Sequence, residues 1–341
     1  MQGEPTQARA ERPRTAIVTG AAGFKGRWLM DLLHREGVRP IGWDIRQPAN
    51  PGDYEWRQID LAEPFELPEV DFVFHLAAQA LVPVGYSNPR GTWRDNVTAT
   101  VNVLEALRLS TTPVTAVIVT SDKVYRLPPE PRPLREDDEL GGYCPYSTSK
   151  AACELAVQSY RSLLPAHVRI ATVRAGNVVG GADPSPNRLV PDIIAAARRG
   201  DAVELRNPAS TRPWLFVMDC LWGYWSMAKA LQRGDEPGPT MNFGPLQGGA
   251  WTAGEIATFM SARLDMQPPV LGTPPAFHEA PYLQLSTERA KERLGWQPLL
   301  STEEALEWTA EWAIAWLADE ASAANVVTAQ VDRYLGLVRN R

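Results

Sequence analysis

The chain has 341 residues, 44% hydrophobic and 22% charged, with a net charge of −6, a composition that suits one large globular unit or two moderate ones. The acidic balance excludes a global electrostatic hold on nucleic acid or an anionic membrane, so any anionic ligand must be met by local arginines and backbone amides. Three cysteines without metal-ligand spacing and four scattered histidines argue against a disulfide framework or a metal site and for a reducing cytoplasm, and no apolar run reaches membrane-spanning length.

Residues 1–14 read as a polar leader without the apolar core of a signal. RTAIVTG (14–20) is a short apolar strand running into glycines, and FKGRWLMDLLHREG (24–37) follows at helical period. RPIGWDI (39–45) and VDFVFHLAA (70–78) are further strands. NVTATVNVLEALRLS (96–110) is a helix, TAVIVTS (115–121) a strand, PYSTSKAACELAVQSYRSLL (145–164) a helix, and VRIATVRAGNVVG (168–180) a strand entering a loop. Strands alternating with helices predict parallel βαβ units, hence an α/β fold with a doubly wound sheet. Beyond about residue 180 the alternation weakens. Helices are expected over 187–200, 218–234, 253–264, 286–295 and 301–320, with short strands at 202–206 and 240–244. STEE (301–304) has the spacing of a capping box. The expected division is a Rossmann domain over 14–178, to which 211–244 returns, and a smaller, mostly helical substrate lobe from 179–210 and 245–320. Residues 321–341 form an extra segment with amphipathic spacing, expected on the surface of the lobe or of a dimer.

TGAAGFKG places Gly20, Gly23 and Gly26 after a strand and at the mouth of a helix, where backbone amides can approach a pyrophosphate at the positive helix end. A plain tight turn produces the same glycines, but Asp44 ends the second strand, where a carboxylate meets ribose hydroxyls and repels a 2′-phosphate. NAD is therefore the expected cofactor. Asp60 has two readings, an adenine contact or a solvated turn residue. In HLAAQ, the small stretch Leu76, Ala77, Ala78 gives a flat surface for the cofactor, while His75 reads as a buried structural histidine.

Tyr146 and Lys150 lie four apart on one helical face, behind a strand that delivers Thr120, Ser121, Asp122 and Lys123 at its tip. A lysine ammonium and a cationic nicotinamide both favour phenolate, so Tyr146 is expected to have a lowered pKa and to act as base while hydride leaves the same carbon. Thr120 or Ser121 would hold the reacting hydroxyl in line.

The glycine loop, Asp44, HLAAQ, Ser121 and YSTSK, in this order, resemble the extended short-chain dehydrogenase/reductase, or NAD-dependent epimerase/dehydratase, family. AGFKG (22–26), SDK (121–123), LGGYCPYSTSKAACELA (140–156), VRAGNVVGGAD (173–183), RLVPDII (188–194), RNPASTRPW (206–214), NFGP (242–245) and HEAPYLQLSTERAKERLGW (278–296) are similar to one branch of it, the CDP-glucose 4,6-dehydratases. The likeness runs from about residue 14 to 320. It implies NAD kept bound through the cycle, with Phe24, Lys25, Leu61, Asn96 and Thr120 joining the cofactor residues already named, together with Tyr146 and Lys150. It implies a nucleotide diphosphate hexose as substrate, met by Gln79, Asn177, Arg188, Arg212 and His278, and a homodimer built on the helices 96–110 and 146–163. The implied chemistry is oxidation at C4 by Tyr146, Lys150 and Ser121. Loss of the C5 proton and the C6 hydroxyl follows, with Asp122 as acid, and hydride then returns to C6. Lys123 stands where related dehydratases carry a glutamate base. A lysine is a base only with a depressed pKa, and Asp122 beside it pulls the other way.

The chain departs from the branch at several positions. Ser121 replaces a threonine, Cys144 an aspartate, and RLPPEPRPLREDDEL (126–140) an aromatic stretch. Leu215 and Phe216 follow RPW where polar residues are usual, and DPSPNR (183–188) replaces a tryptophan-containing loop. An isomerase that oxidises transiently without elimination is the alternative reaction. A non-catalytic NAD-binding protein is disfavoured by the intact Tyr146, Lys150 and Ser121.

Overall fold

Alternate residues of the apolar strands feed two different cores, which is what a sheet covered on both faces requires. Ala16, Val18, Phe72, Phe74 and Val117 pack on one side with the helices Phe24–Arg35 and Val217–Arg233. Ile17, Val73 and Ile118 pack on the other with Ala99–Arg108 and Pro145–Tyr160. The structure, a computed structural model, describes residues 14–48, 52–246, 251–273 and 283–341.

Seven strands form the central sheet. In spatial order they are Thr240–Phe243, Val168–Ala175, Val114–Val119, Phe72–His75, Thr15–Thr19, Arg39–Asp44 and Glu55–Gln58, and every pairing between them is parallel. The order reverses between Thr15–Thr19 and Phe72–His75, and ligands of such sheets bind beyond the carboxyl ends at that reversal. This is the doubly wound α/β fold expected from the sequence. Ser301 caps the helix Thr302–Ala318 in a capping box with Glu304, also as expected.

Two features depart from the sequence reading. The expected helix over 96–110 is an α-helix only over Ala99–Arg108 and is preceded by a π-helical turn at Arg94–Thr98. The segment after residue 320 is an amphipathic helix, Ala323–Arg339, but it is built into the body of the protein. Tyr334 and Val331 are fully buried, the Tyr334 hydroxyl donates to Asp219 Oδ1 at 2.7 Å, and the Arg35 Nε donates to Asp332 at 2.7 Å. The helix thereby packs on both Thr302–Ala318 and the first helix of the sheet domain.

Candidate active site

A cavity of about 970 Å³ runs along the carboxyl edge of the sheet. Its first end is shaped by the loop after Thr15–Thr19. Gly20 has φ +68°, and a Cβ there would stand 2.8 Å from Ala77 N, so the strand crossing at the sheet reversal demands glycine. The helix Phe24–Arg35 starts without a side-chain cap, which leaves its first amides to the cavity and its positive end facing in. Asp44 buttresses this loop by accepting from Ala22 N at 3.0 Å and from Arg46 N at 3.1 Å, and each oxygen keeps a further acceptor direction. Asp60, Leu61, Leu76, Ala77 and Ala78 continue the wall. These residues fit a dinucleotide, with an uncapped helix end for the pyrophosphate and a carboxylate at the ribose position. Arg94 pairs with Asp60 and holds that carboxyl below the usual range. His75 is fully enclosed between Thr19 Oγ1 at 2.8 Å and Thr100 Oγ1 at 3.1 Å, and burial pushes it down to about 3. It is a neutral structural residue.

At the middle of the cavity the Tyr146 helix meets the strand tip. Ser121 caps a single 3₁₀ turn, accepting from Lys123 N at 3.2 Å, donates to Asp122 Oδ1 at 2.9 Å, and lies beside Tyr146, whose phenolate it favours. Asp122 is buried, with Lys123 Nζ 3.7 Å away, and a Cβ at Gly176 would reach within 3.1 Å of its other oxygen. Lys150, also buried, donates to Val119 O at 3.1 Å, and burial pushes its pKa down. Cys144, at the helix start, still forms a capping box with Ser147 in place of the usual aspartate.

The chain's own groups act on Tyr146 in the opposite sense to the nicotinamide charge on which its expected lowering rests. Burial pushes its phenol up to about 12, while Ser121 and then Arg188 oppose that rise more weakly. The chain alone therefore keeps Tyr146 protonated, and any lowering needs positive charge supplied within the cavity. Lys25 places a second ammonium here, donating to the Tyr224 hydroxyl at 3.3 Å and contributing to the fall at Lys150.

Three other side chains are placed differently from the sequence reading. The Thr120 hydroxyl donates to Glu154 Oε1, so of the two hydroxyls it is Ser121 that faces Tyr146. Asn96 does not line the cavity. Its amide holds Gln79 O, Gln79 N and Ser149 Oγ at 3.1, 2.8 and 2.8 Å. Gln79 lines the cavity, but its side chain is committed to Thr92 Oγ1 and Leu81 N. His278 lies outside the described residues.

Asn177, Arg188 and Arg212 line the far end. Arg188 pairs with Asp183 at 3.2 Å, and Arg212 Nη1 donates to Thr211 O at 2.9 Å. Sequence reasoning passed over Arg206, which joins the same wall, 3.7 Å from Asp192. Its only signal was its place at the head of RNPASTRPW. Among the described residues no cluster suited to a metal ion occurs, and no helix is long and apolar enough to cross a membrane.

Residues 16–244 match the NAD dependent epimerase/dehydratase family. The chain is similar to CDP-glucose 4,6-dehydratase of Salmonella typhimurium, 35% identical over 90% of this chain and 92% of that one. It is also similar to UDP-glucose 4-epimerase of Mycolicibacterium smegmatis, 29% identical over 87% and 97%. The fold superimposes on UDP-glucose 4-epimerase with UDP-glucose from Thermotoga maritima with a TM-score of 0.77 and 22% identity, covering 87% of this chain and 97% of that one.

Proposed function

The chain belongs to the NAD dependent epimerase/dehydratase family, and from that premise we propose that it is an NAD-dependent nucleotide-sugar 4,6-dehydratase of the CDP-glucose type. The observation that carries this reading is the position of Asp122, a buried carboxyl that accepts from the Ser121 hydroxyl at 2.9 Å and lines the same cavity as Tyr146. An enzyme that only oxidises and re-reduces C4 has no use for an acid at that place.

Bound NAD supplies a hydride acceptor that can return the hydride within one turnover. In this reading Tyr146 takes the proton of the C4 hydroxyl, with Ser121 holding that oxygen in line. Lys150, fixed on Val119 O, sits one helical turn behind Tyr146 and favours its phenolate. The ketone makes the C5 proton acidic. A base at the Asp122–Lys123 tip would take it while Asp122 gives a proton to the C6 hydroxyl, which leaves as water. Hydride would then return to C6 as C5 takes back a proton. Arg188, Arg206 and Arg212 meet the diphosphate, a task suited to guanidinium forks, with Asn177 beside them. Supported by the topology, the sheet and its covering helices form the cofactor domain (14–178 with 211–244), and 179–210 with 245–320 form the substrate lobe. Exposed Tyr86, Trp93, Leu109, Leu155 and Leu163 lie on and beside the helices Ala99–Arg108 and Pro145–Tyr160 and favour a homodimer through that face. Free cysteines favour a reducing cytoplasm.

Incubation with a panel of CDP-, GDP-, UDP- and dTDP-hexoses, followed by weighing the products, decides the reaction. A product lighter by one water is expected. Unchanged mass with altered retention would replace the dehydratase by a 4-epimerase or another nucleotide-sugar isomerase.

A further inference from the structure

We infer that the buried Glu154–Arg174 ion pair is a clamp that positions the Ser121–Lys123 tip against the Tyr146 helix, a role that rests on the reaction proposed above. Tyr146, Lys150 and Glu154 follow one another at intervals of four on one helix, so they share a face. Glu154 accepts from four donors. These are Thr120 Oγ1, Thr172 Oγ1 at 2.7 Å, and Arg174 Nε and Nη2 at 2.8 and 3.0 Å, which use the acceptor directions of a carboxylate fully. Arg174 extends the chain of bonds, donating from Nη1 to the Tyr125 hydroxyl at 2.6 Å and to Glu136 O at 3.2 Å. The Tyr125 hydroxyl in turn donates to Asn242 Oδ1 at 2.7 Å.

The pair thus grips the residue on each side of the catalytic segment, Thr120 before Ser121 and Tyr125 after Val124. Neither Glu154, Arg174, Tyr125 nor Asn242 lines the cavity, so none of them touches substrate, and all four are positioning residues. A buried ion pair contributes little net stability over an apolar packing of similar volume, so stability alone is a poor reason for placing one here. Directional bonds to both flanks of the tip do something apolar packing cannot. They fix where the Ser121 hydroxyl and the Asp122 carboxyl stand relative to Tyr146, and a displacement of about 1 Å at such groups costs roughly 10²-fold in rate.

Tyr125→Phe removes one flank's bond while keeping the ring, and Thr120→Val removes the other, with Thr120→Ser as its conservative control. Amide hydrogen exchange of the unliganded protein should accelerate about tenfold across 121–124 in Tyr125→Phe and Thr120→Val, not in Thr120→Ser, and not across the rest of the sheet. In the same variants kcat for the nucleotide sugar should fall about tenfold or more, with KM within about threefold of wild type. Unchanged exchange at the tip, or acceleration spread evenly over the sheet, overturns the clamp, and it does so whatever reaction the enzyme performs. Faster exchange at the tip with unaltered kcat overturns its positioning role. Absence of a dehydrated product from the wild-type enzyme would instead remove the proposed reaction and leave the exchange result to decide the clamp.

Discussion

Ser121 donates at 2.9 Å to Asp122 and lies beside Tyr146, so one hydroxyl stands between the group proposed to withdraw the C4 proton and the group proposed to expel the C6 hydroxyl. The two halves of the proposed reaction are therefore coupled through a single side chain, and variants should separate them.

Tyr146→Phe removes the base and leaves the cofactor end of the cavity intact. Turnover should fall by about 10²–10⁴, while the purified variant carries as much NAD, released on denaturation, as wild type. A loss of less than about tenfold would show that the base is elsewhere.

Asp122→Asn keeps a group of the same size but removes the acid. Oxidation at C4 should persist, seen as reduced-nicotinamide absorbance accumulating on addition of substrate, while dehydrated product falls by about 10² or more. Loss of the absorbance change together with product would place Asp122 in the oxidation step.

His75 gives a pH dependence of stability. Its folded value near 3 lies below the unfolded value near 6.5, so between those values the unfolded chain binds the extra proton. Stability is then fully present above about pH 6.5 and is lost as pH falls toward 3, by about 5 kcal/mol at most. Urea midpoints between pH 7 and pH 5 should fall in wild type, and the slope should flatten in His75→Asn.

Asp219 acts in the opposite direction. Burial pushes its carboxyl up to about 6, while the Leu299 amide, the Tyr334 hydroxyl and the Leu300 amide oppose that rise. Its contribution is complete below about pH 4 and is lost as pH rises through 6. Tyr334→Phe removes one of the opposing bonds and should cost about 1–3 kcal/mol near pH 7, with a smaller cost at pH 5, measured by urea unfolding.

Much of this was legible in the residues. Apolar runs ending in glycine or polar tips marked the sheet, and the interval of four set Tyr146 and Lys150 on one face. The edge strand Glu55–Gln58 escaped because an edge with little buried surface carries no apolar pattern. The helices Val82–Ser87 and Pro89–Trp93 lie in a stretch rich in proline and glycine, where periodicity is too short to see. At the site, residue type was easier to read than direction. Thr120 and Ser121 are neighbours with equivalent hydroxyls, and what separates them is Glu154, a partner 34 positions away that only the fold brings near. How strongly burial raises Tyr146 was not legible either, since burial is set by the whole chain and outweighs what nearby residues contribute.

The helix Ala323–Arg339 closes over Phe24–Arg35, and the Arg35–Asp332 contact spans 297 positions. During translation the first helix of the nucleotide-binding unit therefore emerges long before its cover exists. Until about residue 339 has cleared the ribosome, part of that helix's outer face stays open to solvent. Nascent chains arrested short of this point should be protease-sensitive around Arg35, and the protection should appear in one late step rather than growing with length.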